Sequence, residues 1–117
     1  TEVYEIQKDR FKSVIRLEKK LGSVCVLKGS GSLVCYKKGS KQEIGVCGAG
    51  NTGMAKGGMG DVLAGLIGSF ISQGLSLVEA TETAVDIHSK AADIGSLELG
   101  MTITPTDVIR NIRYFLR

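Results

Sequence analysis

Apolar residues recur along the chain in two rhythms, which divide it into a strand-bearing first part and a helical second part. Over residues 6–21, Phe11, Val14, Ile15 and Leu21 fall at helical spacing among lysines, arginines and glutamates, and Gly22 supplies a stop. The run Ser-Val-Cys-Val-Leu at 23–27 is continuously apolar and β-prone, which predicts a buried strand. Lys28-Gly29-Ser30-Gly31-Ser32 breaks it. A second strand is predicted over 33–36, a hairpin-like turn over 37–40, and a third strand over 42–46. The mixed polarity of that third strand suits an edge or a partly exposed face.

Beyond a long glycine-rich loop the period becomes helical. Val62, Leu63, Leu66, Ile67, Phe70 and Ile71 line one face of a helix that ends near Gly74. Ser76 and Glu79 form a capping box, so the next helix starts at once. Ala80, Ala84, Ile87, Ala91 and Ile94 give it a small-residue stripe, with an end predicted within 93–96. Thr104-Pro105-Thr106-Asp107 places a cap, a proline in the first turn and an acid three residues after the cap. The last helix should carry Val108, Ile109, Ile112 and Phe115 inward. The fold class is α/β with few strands and several helices. A buried parallel strand needs neighbours on both sides and cover on both faces, and this chain offers too few strands. The sheet is therefore expected to be incomplete, and the isolated chain to oligomerise or to be unstable.

Composition narrows the function classes. The 117 residues amount to one small domain, with 43% hydrophobic and 23% charged residues. A net charge of +3 with no basic run interleaved with aromatics argues against nucleic acid. The apolar stretches fall well short of the ~20 residues needed to cross a bilayer, and no signal peptide opens the chain. Cys25, Cys35 and Cys47 form no Cys-x-x-Cys pair, and the single histidine, His88, is distant in sequence, so no metal site is expected. Cys25 and Cys35 read as small core residues. Three thiols without framework spacing fit a reducing cytoplasm.

The chemistry concentrates in Gly50-Asn51-Thr52-Gly53-Met54-Ala55-Lys56-Gly57-Gly58-Met59-Gly60-Asp61, which runs straight into a helix. Glycines expose backbone N–H groups, and open N–H groups at a positively polarised helix start bind anions, above all phosphate. Asp61 is either a first-turn residue that favours the helix dipole or a general base for a substrate hydroxyl. Asn51 is a turn residue or a ligand-binding group, and Lys56 is solvated or meets phosphate. The loop Lys28-Gly29-Ser30-Gly31-Ser32 ends an apolar strand, where ligands gather in open α/β sheets. Its lysine offers a point charge and its glycines permit close backbone approach. Alone it reads as a turn; beside a second glycine loop it reads as half of one anion site. His88 reads first as a hydrogen-bonded packing residue, with catalysis as the alternative.

The strings Val26-Leu27-Lys28-Gly29-Ser30-Gly31, Gly50 to Gly65 and Ser72 to Ala80, with the later Ala84-Val85-Asp86-Ile87-His88-Ser89-Lys90-Ala91 and Thr106-Asp107-Val108-Ile109, resemble the C-terminal half of the NAD(P)H-hydrate dehydratase family. The resemblance covers nearly the whole chain in order. It implies a ribokinase-like fold of carbohydrate-kinase type, of which residues 1–117 would be the C-terminal part of a single domain. It also implies an enzyme, a lyase, that removes water from NADH or NADPH hydrated on the nicotinamide ring at the expense of ADP or ATP. Lys28, Gly29, Ser30, Gly31, Ser32 and Gly60 would then hold the nucleotide, Gly57 and Gly58 the transferring phosphoryl, and Asp61 and Asn51 the hydrated dinucleotide. Mg²⁺ is expected with the nucleotide phosphates, and an epimerase is expected as a partner or fused domain. The departure is size, because family members carry a further N-terminal half. The chain is thus expected to be a fragment of a cytoplasmic enzyme or a short relative with altered activity. A small-molecule kinase of the same fold and a non-catalytic nucleotide-binding or assembly module stay open as alternatives.

Overall fold

The first helix, α1 (Arg10–Leu21), starts because the Asp9 side chain accepts from the Lys12 backbone N–H, and it stops because Gly22 adopts the left-handed conformation at φ 65°. The protein is described by a computed structural model over residues 9–28, 32–50, 54 and 57–116. The predicted start at residue 6 thus gives way to a cap at Asp9, with residues 6–8 outside the described residues.

Three strands follow: β1 (Cys25–Leu27), β2 (Leu33–Lys38) and β3 (Lys41–Val46). They form one antiparallel meander in the order β1-β2-β3, with Cys25 opposite Cys35 and Leu33 opposite Val46. Among the described residues β1 pairs with β2 alone. A two-residue turn joins β2 to β3, with Lys38 opposite Lys41 and Gly39 in the first turn position at φ 66°. Lys37 and Lys38, expected in the turn, therefore belong to β2. Ser23, expected in the first strand, lies before it.

The sheet's buried part is short, because β2 buries Leu33, Val34 and Cys35 and then emerges. A 12-residue helix is about 18 Å long, and α1 packs on that apolar patch through its middle, at Val14, Ile15 and Leu17. Val14 is buried over Cys25, Leu33 and Cys35, whereas Phe11 and Leu21, expected inward, are exposed. Glu18 lies one turn beyond Val14 and is only 1% exposed. Its carboxylate accepts a 2.8 Å hydrogen bond from Gln42 Nε2 of β3, which also donates to the Ile15 carbonyl. Burial first, and the Glu18 carboxylate second, push the Cys25 and Cys35 thiols up from their ordinary range.

The helical layer consists of α2 (Met59–Ser72), α3 (Leu77–Leu99) and α4 (Pro105–Ile112), with 3₁₀ turns at Gly100–Thr102 and Arg113–Phe115. The capping box at Thr104 forms in full, and that predicted at Ser76 forms in its Ser76 half, the Glu79 carboxylate accepting from the Ser76 hydroxyl instead of its backbone N–H. Ser76 accepts from the Glu79 N–H, and Thr104 and Asp107 cap each other reciprocally. The larger core gathers around α3, whose Ala80, Ala84, Ala91 and Ala92 are fully buried among Val34, Met59, Leu63, Phe70, Ile103, Val108 and Ile112. Ile71, Ile94 and Ile109, expected inward, sit at the margins and are exposed. The expected end of α3 within 93–96 is also corrected. Gly95 is a close-packing position, where an added Cβ would lie 3.3 Å from Asn111 Nδ2 and 3.5 Å from Ile103 Cγ2, and the helix continues to Leu99. No helix among the described residues is long and apolar enough to cross a membrane.

Gln42→Ala removes the donor from a buried carboxylate and should cost about 1–3 kcal/mol. Glu18→Gln, which keeps an oxygen for Gln42, should cost less. Urea unfolding of both variants checks this; an unchanged midpoint for Gln42→Ala would show that the pair does not hold α1 on the sheet.

Candidate functional site

Three of the four helices are capped by their own side chains, from Asp9, Ser76 and Thr104. The exception is α2, whose N-cap is Gly58 with no side-chain cap. Its first intrahelical bond runs from Val62 N–H to the Gly58 carbonyl at 3.2 Å, so the preceding first-turn amides have no partner within the helix. Glycine is required at 58 on two counts. Its φ is 93°, and a Cβ there would approach Pro105 Cγ of α4 to 3.1 Å.

Lys28 meets this helix start from the sheet. It directly follows β1, whose last carbonyl, on Leu27, accepts a 3.1 Å hydrogen bond from Arg10 Nη2. The Lys28 ammonium lies 2.8 Å from the place a Cβ on Gly60 would take. A hydrogen at position 60 is thus what lets the lysine reach the first turn of α2. The two glycine-bearing loops also adjoin at their roots. Cys47 N–H donates to the Ser32 carbonyl at 2.9 Å, and Gly50 N–H donates to Asp93 Oδ2 of α3 at 2.9 Å.

The structure therefore brings Lys28 and Gly60 together, places Gly57 and Gly58 in the turn leading into α2, and buries Ser32 at the base of the first loop. Asp61 is an exposed residue of the first turn, open to an incoming group. Gly29, Ser30, Gly31, Asn51 and Lys56 lie outside the described residues. His88 of α3 lies beneath, 3% exposed, and its Nε2 has no hydrogen-bond partner among the described residues. Burial first, and the Lys28 charge second, hold its pKa below the ordinary 6.5, partly offset by a hydrogen bond with the Met59 backbone.

Three supporting residues escaped the reading of the sequence. Arg10 fixes the end of β1, Asp93 tethers the second loop, and Pro105 seats Gly58. Pro105 was legible as a helix start but carried no signal of its contact with residue 58. Among the described residues no group of three or more His, Cys, Asp or Glu side chains could hold a metal ion.

The mixed α/β fold that brings this lysine to a glycine-led helix start is of the ribokinase-like class, as its structural neighbours show. The fold superposes on the crystal structure of the ADP/ATP-dependent NAD(P)H-hydrate dehydratase of Bacillus subtilis, co-crystallised with ATP/Mg²⁺, with a TM-score of 0.85 and 26% identity. The match takes in 96% of this chain and 40% of that one. A family model described as NAD(P)H-hydrate dehydratase matches residues 1–113, and the chain belongs to that family. It is 46% identical over 110 residues to the bifunctional NAD(P)H-hydrate repair enzyme Nnr of Coxiella burnetii, covering 93% of this chain and 22% of that protein. It is 39% identical over 94 residues to the ADP-dependent (S)-NAD(P)H-hydrate dehydratase of Neisseria meningitidis, covering 80% of this chain and 31% of that protein. The chain thus spans less than a third of the length of each of these two relatives.

Gly58→Ala and Gly60→Ala should separate stability from binding. The first forces a left-handed alanine against Pro105 and should cost about 1–2 kcal/mol. The second meets only the movable end of Lys28 and should leave stability level or raise it by up to about 1 kcal/mol, while pyrophosphate affinity falls several-fold. Thermal unfolding and calorimetric titration of both variants check the contrast, and equal effects of the two on stability would contradict it.

Proposed function

We propose that this chain is the C-terminal part of a single ribokinase-like domain that dehydrates hydrated NADH or NADPH at the expense of ADP or ATP. The observation that carries the proposal is the convergence of Lys28 on Gly60 at a helix start with no side-chain cap. Such a site offers a point charge and preorganised N–H groups to a phosphoryl group as its charge develops. Lys28, Ser32 and Gly60, with Gly29, Ser30 and Gly31, would bind the nucleotide. Gly57 and Gly58 would line the path of the transferred group, and Asn51 would contact the hydrated dinucleotide. Mg²⁺, bound to the nucleotide phosphates, would neutralise their charge. The epimerase partner and the assembly state belong to the same proposal, as does a cytoplasmic setting.

Asp61 takes the part of the base. It accepts the proton of the ring hydroxyl as that oxygen bonds to the terminal phosphorus and the phosphoanhydride bond breaks, releasing AMP from ADP or ADP from ATP. The resulting phosphate ester then leaves as inorganic phosphate with the C–O electron pair. Loss of a proton from the adjacent carbon restores the ring double bond. Exposure of Asp61 in the first turn suits this role, since a base must be reachable by the hydroxyl it serves.

Turnover of hydrated NADH with ADP and Mg²⁺ tests the reading in the complete enzyme carrying this chain. Asp61→Asn should lower the rate by ~10²–10⁴-fold with nucleotide affinity nearly unchanged. Lys28→Ala should weaken nucleotide affinity first, because a charge-assisted phosphate contact supplies binding energy. Near wild-type turnover for Asp61→Asn overturns the base assignment. Phosphorylation of an alcohol without dehydration would mark a small-molecule kinase instead.

A further inference from the structure

Val34, Gly45, Cys47, Glu82, Val85 and Asp86 line a cavity of about 120 Å³ between the sheet and α3, which the proposed chemistry does not use. It is smaller than the roughly 300–1,000 Å³ of pockets that enclose a whole ligand, so it takes one end of one. Strand alternation puts it on the same face of the sheet as Lys28. Cys25 and Leu27 turn toward α1 and Val26 toward α3, so Lys28, two residues beyond Val26, shares the face of Val26. Val34 lies opposite Val26, and Gly45 lies opposite Val34. The next row runs across the strand ends from Lys28 through Ser32 to Cys47, whose N–H donates to the Ser32 carbonyl at 2.9 Å. Two strand spacings, about 10 Å, separate the ends of that row. This is the reach of a nucleoside diphosphate from its phosphates to its base.

Glu82 gives the cavity its polar chemistry. Residues 82, 85 and 86 lie three and four positions apart, on one face of α3. Val34 and Val85 are apolar and buried. Asp86 is engaged by Lys90 at 2.9 Å. Glu82 makes no ion pair and accepts no hydrogen bond among the described residues. Its Oε2 lies 2.5 Å from the place a Cβ on Gly45 would take, so the carboxylate rests on the bare backbone of β3 at the cavity wall. An ionised carboxylate accepts and does not donate.

We propose that this cavity is the base subsite of the nucleotide site, and that Glu82 selects adenine by accepting a hydrogen bond from its exocyclic amine. This rests on the phosphate-site reading above and adds the base end to it. Adenine carries an N–H donor where guanine, like hypoxanthine, carries a carbonyl oxygen. A carboxylate attracts the first and repels the second. A site built around one acceptor rejects the analogue that lacks the donor, because the polar group is then left unpaired. Val34 and Val85 supply the apolar contact for the ring, and Gly45 keeps the wall flat enough for the carboxylate to lie along it.

The experiment measures the affinities of ADP, IDP and pyrophosphate, each with Mg²⁺, for the complete enzyme carrying this chain and for its Glu82→Gln and Gly45→Ala variants. The wild type should prefer ADP to IDP by about tenfold or more, as for one charge-assisted hydrogen bond. Glu82→Gln keeps the shape but adds an amide N–H for the carbonyl oxygen of IDP. The ratio should fall to within about threefold, through weaker ADP and tighter IDP binding. Gly45→Ala pushes the carboxylate off the strand and should reduce the ratio severalfold. Pyrophosphate affinity should stay the same throughout, which also shows that the variants fold. An ADP-to-IDP ratio left unchanged by either variant, or a wild type that prefers IDP, overturns the inference while leaving the phosphate site intact. A wild type that binds neither ADP nor pyrophosphate overturns the phosphate site, and the inference with it.

Discussion

The closeness with which neighbouring elements can approach α3 sets the rest of the structure. Ala80, Ala84, Ala91 and Ala92 have no exposed surface, and Gly95 leaves only enough room for Ile103 and Asn111. Interiors pack at crystal-like density, so a methylene added along this face would strain its contacts with the neighbouring elements. With α3 fixed, α2 lies along one side and α4 along another, and Val34 of β2 closes the same core. The start of α2, the seat of Gly58 against Pro105 and the Gly50–Asp93 tether are all consequences of that packing.

This arrangement turns backbone geometry into an electrostatic site. The end of β1 is held by Arg10 and delivers Lys28; α2 arrives with glycines and no side-chain cap. The positive potential of the helix start and of the lysine therefore point to one place. The pKa of buried His88 is pushed down by burial first and by the Lys28 charge second. A second buried cation at that position would oppose the lysine in the absence of a bound anion. The site thus combines an open helix start with a close lysine, and both depend on the absence of a side chain at position 60.

What the sequence disclosed follows the range of the interactions involved. Caps at Thr104 and Ser76 and the stop at Gly22 are decided within a few residues, and they form at the positions read. The glycine-rich loop was legible because its composition has a direct physical meaning. Lys28 and Gly60 were legible only as candidates, since 31 intervening positions must fold before one meets the other. Long-range pairings were invisible for the same reason. Gln42 on Glu18, Asp93 on Gly50 and Pro105 on Gly58 each depend on tertiary placement. The continuous apolar run at β1 read as a buried strand, and hydrophobicity reports burial and not strand direction. Val14 of α1 covers it, and among the described residues it is an antiparallel edge paired with β2 alone. Gly95 looked like a helix end because glycine signals both a stop and a close approach, and local pattern cannot separate them.

The central claim is that the start of α2 and Lys28 grip one phosphate. Through-hydrogen-bond coupling between ¹⁵N and ³¹P in the ADP complex reads this directly. The account predicts couplings from one or more amides of Gly57 to Gly60, with the Lys28 ammonium resonance shifted in the same complex. Nucleotide binding that leaves those amides and Lys28 unperturbed, while moving resonances of β3 or α4, would contradict it.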